Sequence, residues 1–118
     1  MGIRWKLVIF GAVLAEVGIA ALVFPVRFFV GEEAFINSVS PACLAMCLVF
    51  GFWAGVRART KAVLHGTLVG VVAALLYMLL TIGQTLPPEF MVAHAVKVVG
   101  GLAGGALAAW RLRQVPAK

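Results

Sequence analysis

Glu16 lies in the middle of the apolar run GAVLAEVGIAAL, which spans Gly11 to Leu22. A second charged side chain, Lys97, interrupts the apolar run HAVKVVGGLAGGALAAW near the C-terminus. An ionised side chain is costly in apolar surroundings unless an opposite charge answers it. The two residues can form an ion pair, or the carboxylate can stay free to bind and release a proton. The choice depends on the elements that hold them.

The composition indicates an integral membrane protein. The chain has 118 residues, of which 64% are hydrophobic and 12% are charged, and its mean hydropathy is +1.09. A soluble domain is about half apolar and a quarter charged. Because so short a chain cannot bury this excess in a core, we expect the lipid bilayer to cover it.

The apolar segments predict one all-α domain, residues 1–118, built as a bundle of four transmembrane helices. A membrane-spanning helix needs about 20 largely apolar residues, and the four runs that qualify are about 7–24, 41–56, 62–82 and 88–110. Pro25 predicts the end of the first helix, and Ser40-Pro41 is typical of a helix start. We expect the segment between these prolines to lie on the membrane surface as a partly helical interfacial segment.

The N-terminus also resembles a signal peptide, with Arg4 and Lys6 before an apolar run. The length of that run and the glutamate in its middle favour a retained helix.

The distribution of basic residues predicts the orientation. Eight of the ten lie on one side of the predicted helices, and they are Arg4, Lys6, Arg57, Arg59, Lys61, Arg111, Arg113 and Lys118. Since cytoplasmic loops collect Lys and Arg, we expect both termini on the cytoplasmic side of a bacterial inner membrane. The net charge of +6 is then a signal of membrane topology. We expect the lipid bilayer as a partner and no binding of nucleic acid.

Glu16 and Lys97 are predicted to lie at matching depth. Glu16 is nine residues from the start of its helix, and Lys97 is nine residues from the opposite side at the start of the fourth. At a rise of 1.5 Å per residue, each lies about 14 Å from its helix start, near the membrane midplane. We therefore predict a Glu16–Lys97 ion pair between the first and fourth helices, which either fixes helix packing or takes part in proton coupling.

Two histidines and a tyrosine are further polar candidates. His94 precedes Lys97 by three residues and shares its helix face, so we group it with the pair. Tyr77 is a candidate neighbour on a substrate pathway. His65 is predicted near the cytoplasmic surface, on the other side of the membrane from His94, so no metal site is expected.

Small residues recur at spacings that favour close helix packing. On the second helix they stand four residues apart, and the third and fourth helices carry similar pairs. The residues are Cys43, Cys47, Gly51, Gly55, Gly66, Gly70, Gly100, Gly101, Gly104 and Gly105. We expect no disulfide between neighbours on one helix, and we expect some of these faces to contact another protein chain.

No catalytic motif is recognised in the sequence. The chain has no aspartate, no HExxH and no nucleophile with a neighbouring base. We therefore expect no enzymatic activity, no catalytic residue and no cofactor.

The run GAVLAEVGIAAL and the layout of four short helices resemble the small multidrug resistance transporters. In that family a glutamate in the middle of helix one binds protons and a cationic substrate in alternation, and the resemblance implies that role for Glu16. The fourth-helix run is similar to small four-helix bacterial membrane proteins with no assigned role.

Lys97 decides between two hypotheses about function. A carboxylate matched by an internal cation is poorly available to a cationic substrate. The sequence therefore favours a protein that acts by assembly, as a homo-oligomer or as an accessory subunit of a larger membrane complex. The alternative is a proton-coupled small-molecule transporter that uses Glu16, and it requires a water-accessible cavity that reaches this carboxylate, with Lys97 pointing elsewhere.

Overall fold

The computed structural model describes residues 2–114, and it is all-helical over this range. The four helices are α1 (Trp5–Phe29), α2 (Glu32–Ala58), α3 (Ala62–Leu80) and α4 (Pro88–Gln114). Each is long and apolar enough to cross a membrane. The predicted four-helix bundle is therefore confirmed.

The predicted helix boundaries at Pro25 and Pro41 are wrong. Helix α1 continues through Pro25 to Phe29, and α2 begins at Glu32, nine residues before Pro41. Both prolines are exposed, and transmembrane helices tolerate an internal proline where other groups satisfy the backbone carbonyl that it frees. The boundary is set instead by Gly31, whose φ of 130° permits the reversal between α1 and α2.

The first turns of α2 are also held by packing. Phe35 and Val39, one turn apart, are buried in a cluster with Val23 of α1 and Phe90 of α4. Glu32 and Glu33 lie in the first turn of the helix, where a negative charge complements the helix dipole. The segment between Pro25 and Pro41, predicted to lie on the membrane surface, is therefore part of the helical bundle at this end.

Helices α2 and α3 pack against each other and separate the other two. Each contacts both α1 and α4, whereas no Cα atom of α1 lies within 8 Å of a Cα atom of α4. We call the end near the α1–α2 turn the Gly31 end, and the end near the α2–α3 turn the Lys61 end. At 19 residues, α3 is six to eight residues shorter than the others, or about 9–12 Å. It is therefore too short to fill the space between α1 and α4 at the Gly31 end.

Helix α4 packs backbone against backbone on its neighbours. A Cβ atom at Gly51 of α2 would lie 2.9 Å from the carbonyl oxygen of Gly101, and one at Gly66 of α3 would lie 2.5 Å from the same oxygen. Likewise, a Cβ at Gly105 would lie 2.7 Å from the carbonyl oxygen of Ala62. No side chain fits in these contacts, so the glycines allow α4 to approach both helices at the Lys61 end.

All ten small residues singled out in the sequence are buried within the bundle. The faces expected to contact another chain are therefore covered by the protein's own helices. The physical reason is that α2, α3 and α4 each offer such a face, and the three faces meet.

Candidate functional site

The centre of the bundle holds an ion pair between α1 and α4. The ammonium Nζ of Lys97 donates a hydrogen bond to Oε1 of Glu16 at 2.6 Å. The Lys97 side chain is 3% exposed and the Glu16 side chain is 18% exposed. Nζ also lies 4.7 Å from the centre of the Tyr77 ring of α3, within the range of a cation–π interaction. The residues predicted to pair are thus brought together, with Tyr77 beside them.

The pair crosses the wide diagonal of the bundle. Because the α1 and α4 backbones stay apart, the four-carbon stem of lysine supplies the reach that a shorter base lacks. The rest of this α1 face consists of Val8, Ala12 and Ala15, which are fully buried.

A cavity of about 370 Å³ extends from this pair to the Gly31 end. Glu16 and Lys97 line its deep end, whereas the exposed residues Arg27, Glu32 and Gln84 line its mouth. Arg27 follows Glu16 by eleven positions on α1, so the cavity is about 16 Å long. Its volume lies in the lower part of the range of about 300–1,000 Å³ for small-molecule sites.

The wall between the two ends is apolar and aromatic. Phe35 and Phe90 have ring centres 6.2 Å apart, and Tyr77 and Phe90 have ring centres 5.9 Å apart. Ile19 and Val23 complete the α1 side. An apolar cavity with few polar groups at defined positions is typical of a ligand-binding site.

His94 contributes an unpaired polar atom to this cavity. The residue is 7% exposed and lines the cavity, with its ring centre 5.4 Å from that of Tyr77. Its Nδ1 atom has no hydrogen-bond partner within the described residues. Buried polar atoms are almost always hydrogen-bonded, so this nitrogen has the capacity to bind a polar group in the cavity.

The mouth of the cavity carries a second ion pair. Nε of Arg27 donates to Oε2 of Glu32 at 3.1 Å, and the guanidinium lies 5.4 Å from the centre of the Phe35 ring. Both charged side chains are at least half exposed, so this pair adds little stability. It leaves the charges that line the mouth balanced.

The cysteines divide between the cavity and the helix contacts. Cys43 lines the cavity, whereas Cys47 packs against Ala12, Ala15 and Ala73. Both are free thiols. No group of three residues able to hold a metal ion occurs in the described part of the chain.

His65 has a structural position at the Lys61 end. It is fully buried. Its Nε2 accepts a hydrogen bond from the backbone N–H of Arg4 at 3.0 Å. Its Nδ1 therefore carries the proton and donates to the carbonyl oxygen of Lys61 at 2.9 Å. The side chain of Arg4 bonds to the Arg57 carbonyl, so this network fixes the start of α1 to α2 and α3.

The sequence reasoning missed the cavity and several of its residues. Arg27, Glu32, Phe35 and Phe90 line it, and none was singled out. The four-residue spacing of Phe35, Val39 and Cys43 is a helical signal that extends α2 before Pro41 and places these residues on one face.

Comparisons with family models, with curated proteins and with solved structures each give no match to this chain.

Proposed function

We propose that this protein binds a small amphipathic molecule in the cavity between α1 and α4 and transports it in a proton-coupled cycle that uses Glu16. The observation that carries the proposal is that Glu16 and Lys97 line the deep end of a cavity that extends to exposed residues. A pair with only a structural role needs no such cavity. Lys97 does pair with Glu16, contrary to the condition that the sequence set for a transporter, but both residues border the cavity and the Glu16 side chain is 18% exposed.

The shape and chemistry of the cavity favour a solute with an apolar body and one polar end. The aromatic wall accommodates the body, while the ion pair and the unpaired Nδ1 of His94 lie within reach of the polar end. With the basic residues on the cytoplasmic side of a bacterial inner membrane, the mouth of the cavity faces outward.

The ion pair is suited to link binding to a change of conformation. The backbones of α1 and α4 do not approach each other, so the Glu16–Lys97 hydrogen bond is the polar contact between them among the described residues. A solute that competes for either partner weakens the link. Binding then favours a different position of α1.

Assembly with a second copy or with a larger membrane complex stays a prediction from the sequence. The glycine faces do not support it, because each is covered inside the bundle. The lipid bilayer remains the expected partner of the exposed apolar surface.

Filling the cavity tests the proposal. Ala20 lines the cavity, whereas its neighbour Ala21 is exposed and does not. We expect Ala20→Phe to abolish binding of water-soluble aromatic probes, measured by saturation-transfer NMR in detergent, and Ala21→Phe to leave it unchanged. The probes are benzoate, benzylammonium and benzyl alcohol.

Transport is measured in proteoliposomes that contain a pH-sensitive dye, with the Ala20→Phe protein giving the leak of each probe through lipid. We expect solute-dependent proton movement above this leak for the wild type and for Ala21→Phe. Equal binding by wild type and Ala20→Phe, or no binding of any probe, would refute the proposed function.

A further inference from the structure

The deep end of the cavity holds N–H donors on Lys97 for which the described residues supply a single acceptor. An ammonium has three N–H groups, and Glu16 Oε1 is the acceptor that the described residues give to Lys97 Nζ. One turn closer to the mouth, His94 Nδ1 has no hydrogen-bond partner among residues 2–114. A carboxylate, which only accepts hydrogen bonds, can bind the Lys97 ammonium, and it can also accept from His94 Nδ1 in the tautomer that carries the proton on this nitrogen.

The charges that line the cavity already cancel. Lys97 bonds to Glu16 at the deep end and Arg27 bonds to Glu32 at the mouth. A net charge added to such a low-dielectric site is strongly disfavoured. A charged ligand can therefore bind tightly only if another group changes its charge.

For an anion, that group is Glu16. A bound carboxylate and the Glu16 carboxylate would share one ammonium, and two like charges at that distance cannot both stay ionised. The other titratable groups around Glu16 are Lys97 and His94 on α4, Tyr77 on α3 and Cys43 on α2. Glu16 becomes neutral by gaining a proton, whereas His94 would become a second cation one turn from the Lys97 ammonium, and two nearby cations repel each other.

A cation meets the opposite situation. The position opposite Glu16 is already occupied by the Lys97 ammonium, which also lies over the Tyr77 ring. A cationic ligand would compete with the Lys97 ammonium for Glu16 and would place a second positive charge beside it.

We infer that the ligand is a small amphipathic monocarboxylate, and that Glu16 takes up one proton for each molecule bound. This inference rests on the proposed function and names its substrate class. In the step, the hydrogen bond from Lys97 Nζ to Glu16 Oε1 breaks and one from Nζ to the ligand carboxylate forms. One proton from the solution in the cavity is transferred to Glu16. The site is neutral before and after, and no electrons are transferred.

Isothermal titration calorimetry with benzoate tests this inference on the intact protein in detergent. The heat of binding varies with the ionisation enthalpy of the buffer in proportion to the number of protons taken up. We expect about one proton per benzoate at pH 7. We also expect the apparent Kd to rise about tenfold for each pH unit above neutrality, since binding requires that proton.

Variants test whether Glu16 is the group that takes up the proton. Glu16→Gln carries a neutral group of the same shape, and we expect it to bind benzoate with no proton uptake and with a Kd independent of pH. Lys97→Gln loses the cation, and we expect it to lose benzoate binding. Glu33→Gln and Lys61→Gln change exposed charges away from the cavity, and we expect both to behave as wild type.

The outcomes separate the inference from the proposed function. Benzoate binding by wild type without proton uptake, or proton uptake that persists in Glu16→Gln, would overturn the inference. Tighter binding of benzylammonium or benzyl alcohol than of benzoate would overturn it as well. Each of these results leaves a ligand-binding cavity in place, whereas no binding of any of the three probes refutes the proposed function too. Proton uptake on benzoate binding by the wild-type protein tests the inference by itself, so the test does not require that any variant fold.

Discussion

Replacing the partners of the central ion pair with apolar residues of similar size should have strongly non-additive effects on stability. Glu16→Leu leaves the Lys97 ammonium unpaired with its side chain 3% exposed. Removing one partner of a buried pair costs about 3–5 kcal/mol in free energy of unfolding, and we expect this variant to fall within that range. Lys97→Met leaves Glu16, which is 18% exposed and lines the cavity. Because water in the cavity can solvate this carboxylate, or a proton can neutralise it, we expect a loss of about 2–3 kcal/mol.

The double variant Glu16→Leu/Lys97→Met should be close to wild type in stability. It leaves no buried charge, and exchange of a buried ion pair for apolar residues of similar volume is often neutral or stabilising. The coupling free energy of the cycle should then be at least about 4 kcal/mol in magnitude, well above the range of about 0.5–3 kcal/mol for most contacting residues.

The assay is reversible unfolding in detergent micelles followed by circular dichroism, from which the free energy of unfolding is obtained for the four proteins. Glu33→Leu and Lys61→Met form a control cycle, since both residues are exposed and far apart, and their effects should add. If the central double variant loses as much stability as the two single variants together, the two charges do not stabilise each other and the reasoning is wrong. If Lys97→Met costs as much as Glu16→Leu or more, the carboxylate is not solvated through the cavity.

Two further predictions concern positions outside the cavity. Gly101→Ala places a Cβ against the Gly66 carbonyl oxygen and should lower the free energy of unfolding by about 1–3 kcal/mol. The matched change Gly18→Ala meets side-chain atoms alone, Sδ and Cγ of the flexible Met46 and, farther away, the Phe50 ring, and it should be nearly neutral in the same unfolding assay. Equal losses would show that backbone contact is not what the glycine provides. His65→Phe removes the acceptor of the Arg4 N–H and should cost about 1–3 kcal/mol, with faster hydrogen exchange at the start of α1 by mass spectrometry. Unchanged exchange there would contradict the role given to this histidine.

The number of helices and the matching level of Glu16 and Lys97 could be predicted from the sequence. Four apolar runs define four helices, and a count of residues from their ends brings Glu16 and Lys97 to the same level. The sequence was not sufficient for the segment between Pro25 and Pro41. A local rule that proline ends helices failed there because packing of Phe35 and Val39 outweighs it and both prolines face outward.

The cavity could not be predicted from the sequence, for a different physical reason. It exists because α3 ends near Tyr77 while α1, α2 and α4 continue. Which helices lie on the diagonal is decided by the glycine contacts of α4 with α2 and α3. The sequence shows that these glycines permit close approach, but it does not show which backbone approaches. The ion pair was predictable from depth alone, whereas the cavity depends on the arrangement.

The residues that helix α4 presents to its neighbours differ on the two sides of Lys97, and this difference bears on the proposed transport. Toward the Gly31 end it presents Phe90, His94 and Lys97 to the cavity, whereas toward the Lys61 end it presents glycines in backbone contact with α2 and α3. Contacts of that kind leave no space for a solute path between α4 and its two neighbours. A cycle that opens the site toward the Lys61 end therefore requires movement of α1, whose polar link to α4 is the Glu16–Lys97 hydrogen bond. In the proposed cycle, the residue that would take the proton is thus on the helix that would have to move, and we expect protonation of Glu16 to release α1 at the step when the ligand occupies Lys97.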